Sequence, residues 1–215
     1  DGPNLVGLHS SQYLIPNRVI ASLTYRIKYA KNFVTHIGAF YSGYNPGCYS
    51  YMYTADMNQD GQKNDLIYIP KTKDELLFID KNGIGAAEQA EAFWNFINQD
   101  SYLKKHKGEY AEAYGSYLPW VHRFDIRVMQ DFNVKIGKTN NTLQVSVDIL
   151  NVGNLLNSSW GVVKSTSACN GARLLQYEGV TGDNIPKYSM YYDTAKKALP
   201  TKTFESDRNV TDCWQ

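Results

Sequence analysis

Four segments of this chain alternate apolar and polar side chains over about ten positions each, and that alternation limits the fold more than any other feature. Residues 18–30 place Val19, Ala21, Leu23, Tyr25, Ile27 and Tyr29 on one side, with Ser22, Thr24, Arg26 and Lys28 on the other. Residues 33–43 set Phe33, Ile37, Ala39 and Tyr41 against His36, Gly38 and Ser42. In 122–135, Phe124, Ile126, Val128, Phe132 and Val134 oppose Asp125, Arg127, Asp131, Asn133 and Lys135. In 142–152, Leu143, Val145, Val147 and Ile149 oppose Thr142, Gln144, Ser146 and Asp148. A period of two fits a strand with one apolar and one polar face; a helix repeats near 3.6. The predicted class is all-β.

The connections between these segments are lopsided. A turn at Lys31–Asn32 joins the first two, and a comparably short one joins the last two, whereas residues 44–118 and 153–210 form very long loops. Structureless loops beyond about 12–15 residues are uncommon inside a compact domain. Short turns on one side and long loops on the other match an antiparallel transmembrane β-barrel, with its turns in the periplasm and its loops outside the cell. Aromatics cluster toward the strand ends: Tyr25 and Tyr29 at one, Phe40, Tyr41, Tyr44 and Trp120 at the other. Amphipathic rings suit the headgroup layers. The charged side chains Arg26, Lys28, Asp125, Arg127, Asp131 and Asp148 then fall on the lumen side, and their mixed signs argue against a strongly charged cargo. Alternating strands also build soluble sandwiches and lipocalin-like barrels, so a water-soluble β-fold stands beside the membrane reading.

Charge and length remove other classes. With 22 basic and 21 acidic residues the chain carries no electrostatic footprint for nucleic acid. No apolar run approaches the roughly 18 residues of a membrane helix. Seventeen tyrosines outnumber eight phenylalanines, which suits contact with sugars, peptides or an interface, and equally suits loop packing. No leader of charged then apolar residues precedes Asp1, which for an exported protein reads as a chain beginning part-way along its parent. Residues 211–215 look like the start of a further strand. Four strands and a stub fall short of the eight or so that close a barrel, and 172–177 and 187–192 are too short to add staves.

One motif carries site chemistry. Asp56, Asn58, Asp60 and Gln62, followed by Asn64 and Asp65, put oxygens at alternate positions around Gly61, as at the start of a calcium loop. The twelfth position holds Ile67 and not the bidentate Glu of an EF-hand, so Ca2+ would bind weakly, in the roughly 10⁻⁴–10⁻³ M range. An Asx-rich turn without metal uses the same residues. Further on, residues 86–107 read as a helix, with Ala90, Phe93, Trp94 and Ile97 at helical spacing, packing against the loop's own aromatics.

Catalysis finds no constellation. His9, His36, His106 and His122 are scattered, and the sequence contains no phosphate loop, GxSxG elbow or HExxH pair. Cys48, Cys169 and Cys213 make an odd set whose pairing sequence cannot fix; a Cys169–Cys213 bridge with Cys48 free and three free thiols are both open.

Residues 56–70 (DMNQDGQKNDLIYIP), 119–132 (PWVHRFDIRVMQDF) and 142–161 (TLQVSVDILNVGNLLNSSWG) together resemble the C-terminal barrel region of TonB-dependent outer-membrane receptors, of the Oar-like and carboxypeptidase-regulatory-domain-bearing kind in Bacteroidetes. The run from Asn151 to Asn157 is similar to the "NLFN" stretch after a late strand of that family. The resemblance implies that residues 1–215 are the C-terminal part of one barrel of 22 strands with an N-terminal plug. It implies import of a bulky nutrient, an oligosaccharide, peptide or metal chelate, across the outer membrane. Implied partners are outer-membrane lipid, the rest of the barrel and its plug, TonB–ExbB–ExbD through that absent part, and a surface lipoprotein. The rival is a secreted, calcium-stabilised β-rich module for binding or adhesion.

Overall fold

A computed structural model describes residues 8–167 and 172–206. Along the chain run β1 (Arg18–Tyr29), β2 (Phe33–Tyr44), β3 (Cys48–Tyr49), β4 (Met52–Tyr53), β5 (Leu77–Phe78), α1 (Ala86–Gln99), β6 (Ser116–Tyr117), β7 (Val121–Ile136), β8 (Thr139–Ile149), α2 (Val152–Leu156), β9 (Lys164–Thr166), β10 (Arg173–Val180), β11 (Pro186–Met190) and β12 (Phe204–Ser206). The class is all-β with few helices, and no described helix is long and apolar enough to cross a membrane. The residues divide into two compact units.

The sheet unit, Ile15–Pro46 with Pro119–Val163, holds the four long strands as one antiparallel sheet in the order β1-β2-β7-β8. Its register is continuous: Leu23 faces Ala39, Ala39 faces Ile126, and Ile126 faces Ile149. Because side chains alternate, this single register places every apolar stripe on the same face. The β7–β8 turn is Gly137–Lys138, with Gly137 at φ +62°, a backbone that a side chain resists at the first turn position of a tight hairpin. The β1–β2 turn closes with the Phe33 N–H donating to the Ala30 carbonyl at 3.2 Å.

Two boundaries differ from the sequence reading. The fourth strand begins at Thr139 and ends at Ile149, short of the expected 142–152 end. Asn151 stops it: the residue takes a left-handed backbone, φ +52°, and its N–H donates to the Asp125 carboxylate at 2.7 Å. The chain then enters the short helix α2. Among the aromatics, Phe40 and Tyr44 leave the expected end cluster, because the register puts them with Ser42 on the polar face.

The second unit, called here the core unit, comprises Gly47–Leu118 with the described parts of Asp1–Leu14 and Lys164–Gln215. Here the two long connections pair with each other. The strand order is β4-β10-β11-β5, with β10 and β11 antiparallel and the two-residue strands parallel at the edges. The stretches 172–177 and 187–192 are therefore largely strand, in this small sheet and not in the long-stranded one. Helix α1 buries Gln89, Phe93, Phe96 and Ile97, spacings that gather on one helical face. Trp94, expected on that face, is only half-buried and carries the Lys107 ammonium 3.9 Å over its ring. The helix ends at Gln99, not Lys107, because Asp100 turns the chain: its Oδ1 accepts the N–H groups of Tyr102 and Leu103, both at 2.9 Å.

Tyr51, Ile67, Ile69, Leu103, Leu174, Leu175 and Met190 complete a closed core. Gln89 ties the helix to β11 by accepting the Met190 N–H at 2.9 Å and donating to the Ile79 carbonyl at 2.8 Å. Asp100, 5 % exposed, also accepts the Tyr51 hydroxyl at 2.6 Å and the Thr203 hydroxyl at 2.8 Å, so four donors satisfy one buried carboxyl. Burial pushes the Tyr51 and Tyr49 hydroxyls far above the ordinary tyrosine range.

Candidate functional site

Two surfaces stand out, one on each unit. On the sheet unit it is the apolar face itself. Leu23 is 72 % exposed, Leu143 65 % and Val147 57 %, at positions where a water-soluble sheet buries such side chains under a second layer. Leaving one mid-sized apolar side chain in water costs roughly 1.5–3 kcal/mol relative to burial, and this face repeats that cost across all four strands.

Rings border the face at both ends. Toward the hairpin turns, Phe33 stacks on Tyr29 with centroids 5.9 Å apart and meets Phe132 edge-on at 5.6 Å. Toward the other end, Tyr41 lies 4.8 Å from Phe124 and gives a 2.7 Å hydrogen bond between its hydroxyl and His122 Nδ1, with Trp120 stacked on His122. From Phe33 to Tyr41 the strand rises roughly 27 Å at about 3.4 Å per residue. Tilted by the usual 35–45°, that is about 21 Å, close to the roughly 25 Å apolar band of outer-membrane barrels. Thr35 and Gln130 interrupt the oily stripes, yet they satisfy each other: the Thr35 and Tyr29 hydroxyls donate to Gln130 Oε1 at 2.6 and 2.7 Å, and its amide donates to the Asp131 carbonyl at 2.9 Å.

The opposite face is a ladder of polar pairs. Arg127 reaches Asp148 through two bonds of 2.5 and 2.8 Å, His36 Nε2 lies 3.2 Å from Asp131, Gln144 donates to Asp131 at 2.7 Å, and Thr142 donates to Asn133 at 2.7 Å. Of the six charged residues expected on a lumen wall, Arg127, Asp131 and Asp148 are in this ladder and Asp125 binds the Asn151 N–H. Arg26 and Lys28 share the face through the β1–β2 register.

The core unit carries a cleft of about 1180 Å³. Its walls come from four parts of the chain: residues around His9; Tyr53, Met57, Asn58, Asp65 and Leu66; residues between Tyr110 and Tyr117, Glu112 among them; and Pro186 with Tyr188. Tyr53 and Tyr188 stack at 5.8 Å in its floor, and burial raises both hydroxyl pKa values. Tyr110 and Tyr117 present open rings. No Lys or Arg lines the cleft, while Asp65 and Glu112 do.

This is where part of the oxygen-rich motif goes. Asn58 and Asp65 line the cleft; Asp56, Asp60, Gln62 and Asn64 do not. The motif is built as a turn. The Asp60 N–H donates to Asp56 at 3.2 Å and to Asn58 at 3.0 Å, the Gly61 N–H to Asp56 at 2.9 Å, and the Gln62 N–H to Asp60 at 2.8 Å. Gln59 and Gly61 take left-handed backbones, φ +58° and +85°, which such Asx turns require. Asp65 closes the loop from outside by accepting the Met57 N–H at 2.6 Å. Among the described residues, no three His, Cys, Asp or Glu side chains are grouped closely enough to hold a metal ion.

Sequence reasoning did not find the cleft, because its walls lie far apart in the chain; the tyrosine excess was the one signal pointing toward it. Of the cysteines, Cys48 is a free thiol donating to the Ser11 carbonyl at 3.1 Å, and burial raises its pKa. Cys169 and Cys213 lie outside the described residues, as does the strand start expected at 211–215. Compared with protein-family models, curated proteins and solved structures, the chain matches none.

Proposed function

We propose that this chain is part of an outer-membrane receptor of the TonB-dependent kind, importing a bulky nutrient, and that its four long strands are one sector of a larger transmembrane barrel. The observation that carries the reading is the apolar face left open from β1 to β8 in a chain whose other unit gathers apolar side chains into a closed core and leaves only scattered ones, such as Leu77 and Ile185, exposed. Hydrocarbon is the solvent that suits such a face. Lipid offers no hydrogen bonds, and Thr35 and Gln130, two polar side chains set in the oily stripes, bond to each other, with Gln130 also held by Tyr29 and the Asp131 carbonyl. The paired charges of the other face suit a wet lumen. Each edge strand, β1 and β8, pairs on one side only among the described residues, which leaves both edges for neighbouring staves.

In this reading the Gly137–Lys138 turn faces the periplasm and the core unit stands outside the cell. Its partners are outer-membrane lipid, the remaining barrel strands, the plug with TonB–ExbB–ExbD behind it, and a surface lipoprotein. No step of catalysis is assigned. Topology gives the test. With Cys48, Cys169 and Cys213 replaced by Ser, a Lys104→Cys variant in intact cells should react with a membrane-impermeant maleimide. Lys138→Cys should react only after the outer membrane is permeabilised. Equal labelling of both in intact cells rejects the assignment.

The closed core of the second unit favours one rival, a secreted calcium-stabilised binding module. That protein would be monodisperse without detergent and would give heat on titration with millimolar calcium.

A further inference from the structure

Asp65 is a buried carboxylate that no described Lys, Arg or His meets within ion-pairing distance. It is 8 % exposed, and its Oδ2 accepts the N–H groups of Met57 at 2.6 Å and Asn58 at 3.4 Å. Amide N–H groups fix the carboxylate in place but leave its full charge. Buried charges are ordinarily paired, since desolvation of an unpaired one costs several kcal/mol.

The cleft explains where the opposite charge would come from. Asp65 is in its wall, Glu112 adds a second carboxylate, no Lys or Arg lines it, and His9 is its one imidazole. A hollow lined by one sign of charge concentrates ligands of the other sign. Tyr110, whose ring also tilts against Tyr68 at 5.4 Å, and Tyr117 line the cleft at 68 % and 46 % exposure, and tyrosine rings attract ammonium and guanidinium groups through the ring quadrupole. The volume, about 1180 Å³, exceeds the roughly 300–1,000 Å³ of small-molecule pockets and suits several linked residues. A metal ion fits less well, since hard cations want six or more oxygens and no three acidic or histidine side chains gather here among the described residues.

We propose that this cleft binds an organic cation, an ammonium or guanidinium group carried on a short oligomer, with Asp65 and Glu112 as its counter-charges and Tyr110 and Tyr117 as stacking surfaces. The inference rests on the transporter reading only in naming the bound molecule as cargo; the binding belongs to the core unit. Two sources supply this chemistry, basic peptides and amino sugars.

Calorimetric titration of the whole protein with tri-arginine, glucosamine trimer, its neutral N-acetylated counterpart and tri-glutamate separates them. At least one cationic probe should bind, tenfold or more tighter than either the neutral or the anionic one, and the order of the two cations names the source. Glu112→Gln should weaken the cation three- to tenfold and Asp65→Asn at least tenfold, whereas Glu91→Gln, an acid on α1 away from the cleft, should change nothing. Should Asp65→Asn disturb its loop, Glu112→Gln and Tyr110→Ala decide. Neutral trimer binding as tightly as cationic, unchanged affinity in Glu112→Gln, or no binding of either cation overturns the proposal. None of these outcomes alters the maleimide pattern, which judges the transporter reading separately.

Discussion

In the core unit the helix phenylalanines are shut away, Phe93 and Phe96 each 2 % exposed, whereas on the long-stranded sheet Phe124 stands 50 % open. The core unit closes around its apolar groups with short strands, a helix and a buried carboxyl that accepts four hydrogen bonds. The sheet unit does the reverse: β2 and β7 are laddered on both sides, Arg127 pairs with Asp148 and His36 with Asp131, and its oily side stays exposed. One chain thus follows two rules of solvation: an open apolar face running across several strands is a property of one unit, not of loose folding throughout.

The contrast breaks first in the core. Phe96→Ala removes a fully buried ring and should cost about 3–5 kcal/mol, unfolding the core unit in a denaturant titration. On the sheet, Val147→Ala in water should change stability by well under 1 kcal/mol, because the side chain is not buried by protein.

A second pair of variants sharpens the sheet side. Val128→Arg, on the apolar face, should destabilise the lipid-embedded protein by roughly 2–4 kcal/mol in urea titrations of vesicle-bound protein. Met129→Arg, one residue along on the polar face, should cost close to nothing. A third variant returns to the core: Asp100→Asn leaves Tyr51 and Thr203 competing for a neutral acceptor and should cost about 1–3 kcal/mol by thermal melting.

The smallest effect is a pH dependence. Glu178 is partly desolvated, which raises its pKa, but bonds from Lys81 and Ser189 outweigh this and leave it below the ordinary value of 4.5. A depressed carboxylate stabilises the fold above that ordinary value and loses the contribution as pH falls through its folded pKa. Wild type should therefore lead Lys81→Ala by no more than about 1 kcal/mol at pH 6, and the lead should shrink as pH falls below 4.5 and Glu178 takes up its proton.

How legible each unit was follows from the range of its contacts. The long strands are written locally, since a period of two over ten residues needs no knowledge of the partner, and Leu23, Val128 and Val147 all stand where alternation put them. Phe40 and Tyr44 share the parity of His36 and Ser42, so alternation itself sets them on the polar face, as the register has them. The fourth strand's end was missed because one residue, Asn151, adopts a left-handed backbone that hydrophobicity does not encode. In the core unit, Met52–Tyr53 pairs in parallel with a strand beginning at Arg173, and two-residue strands so far apart leave no periodic trace. Helix α1 was visible, although Phe96 and Gln89, not Trp94, complete its buried face. Asp65 was singled out as an oxygen ligand by its spacing, and only the fold places it in the wall of a cleft with Glu112 and Tyr110.

Whether lipid solvates one side of this sheet can be read along β8. Single cysteines at 143 to 148, in a background without native cysteines, would carry an environment-sensitive fluorophore in reconstituted bilayers with a lipid-bound quencher. Blue-shifted, strongly quenched emission is expected at Leu143, Val145 and Val147, and aqueous emission at Gln144, Ser146 and Asp148. Uniform quenching at all six positions, or none at any, would contradict lipid solvation of that side.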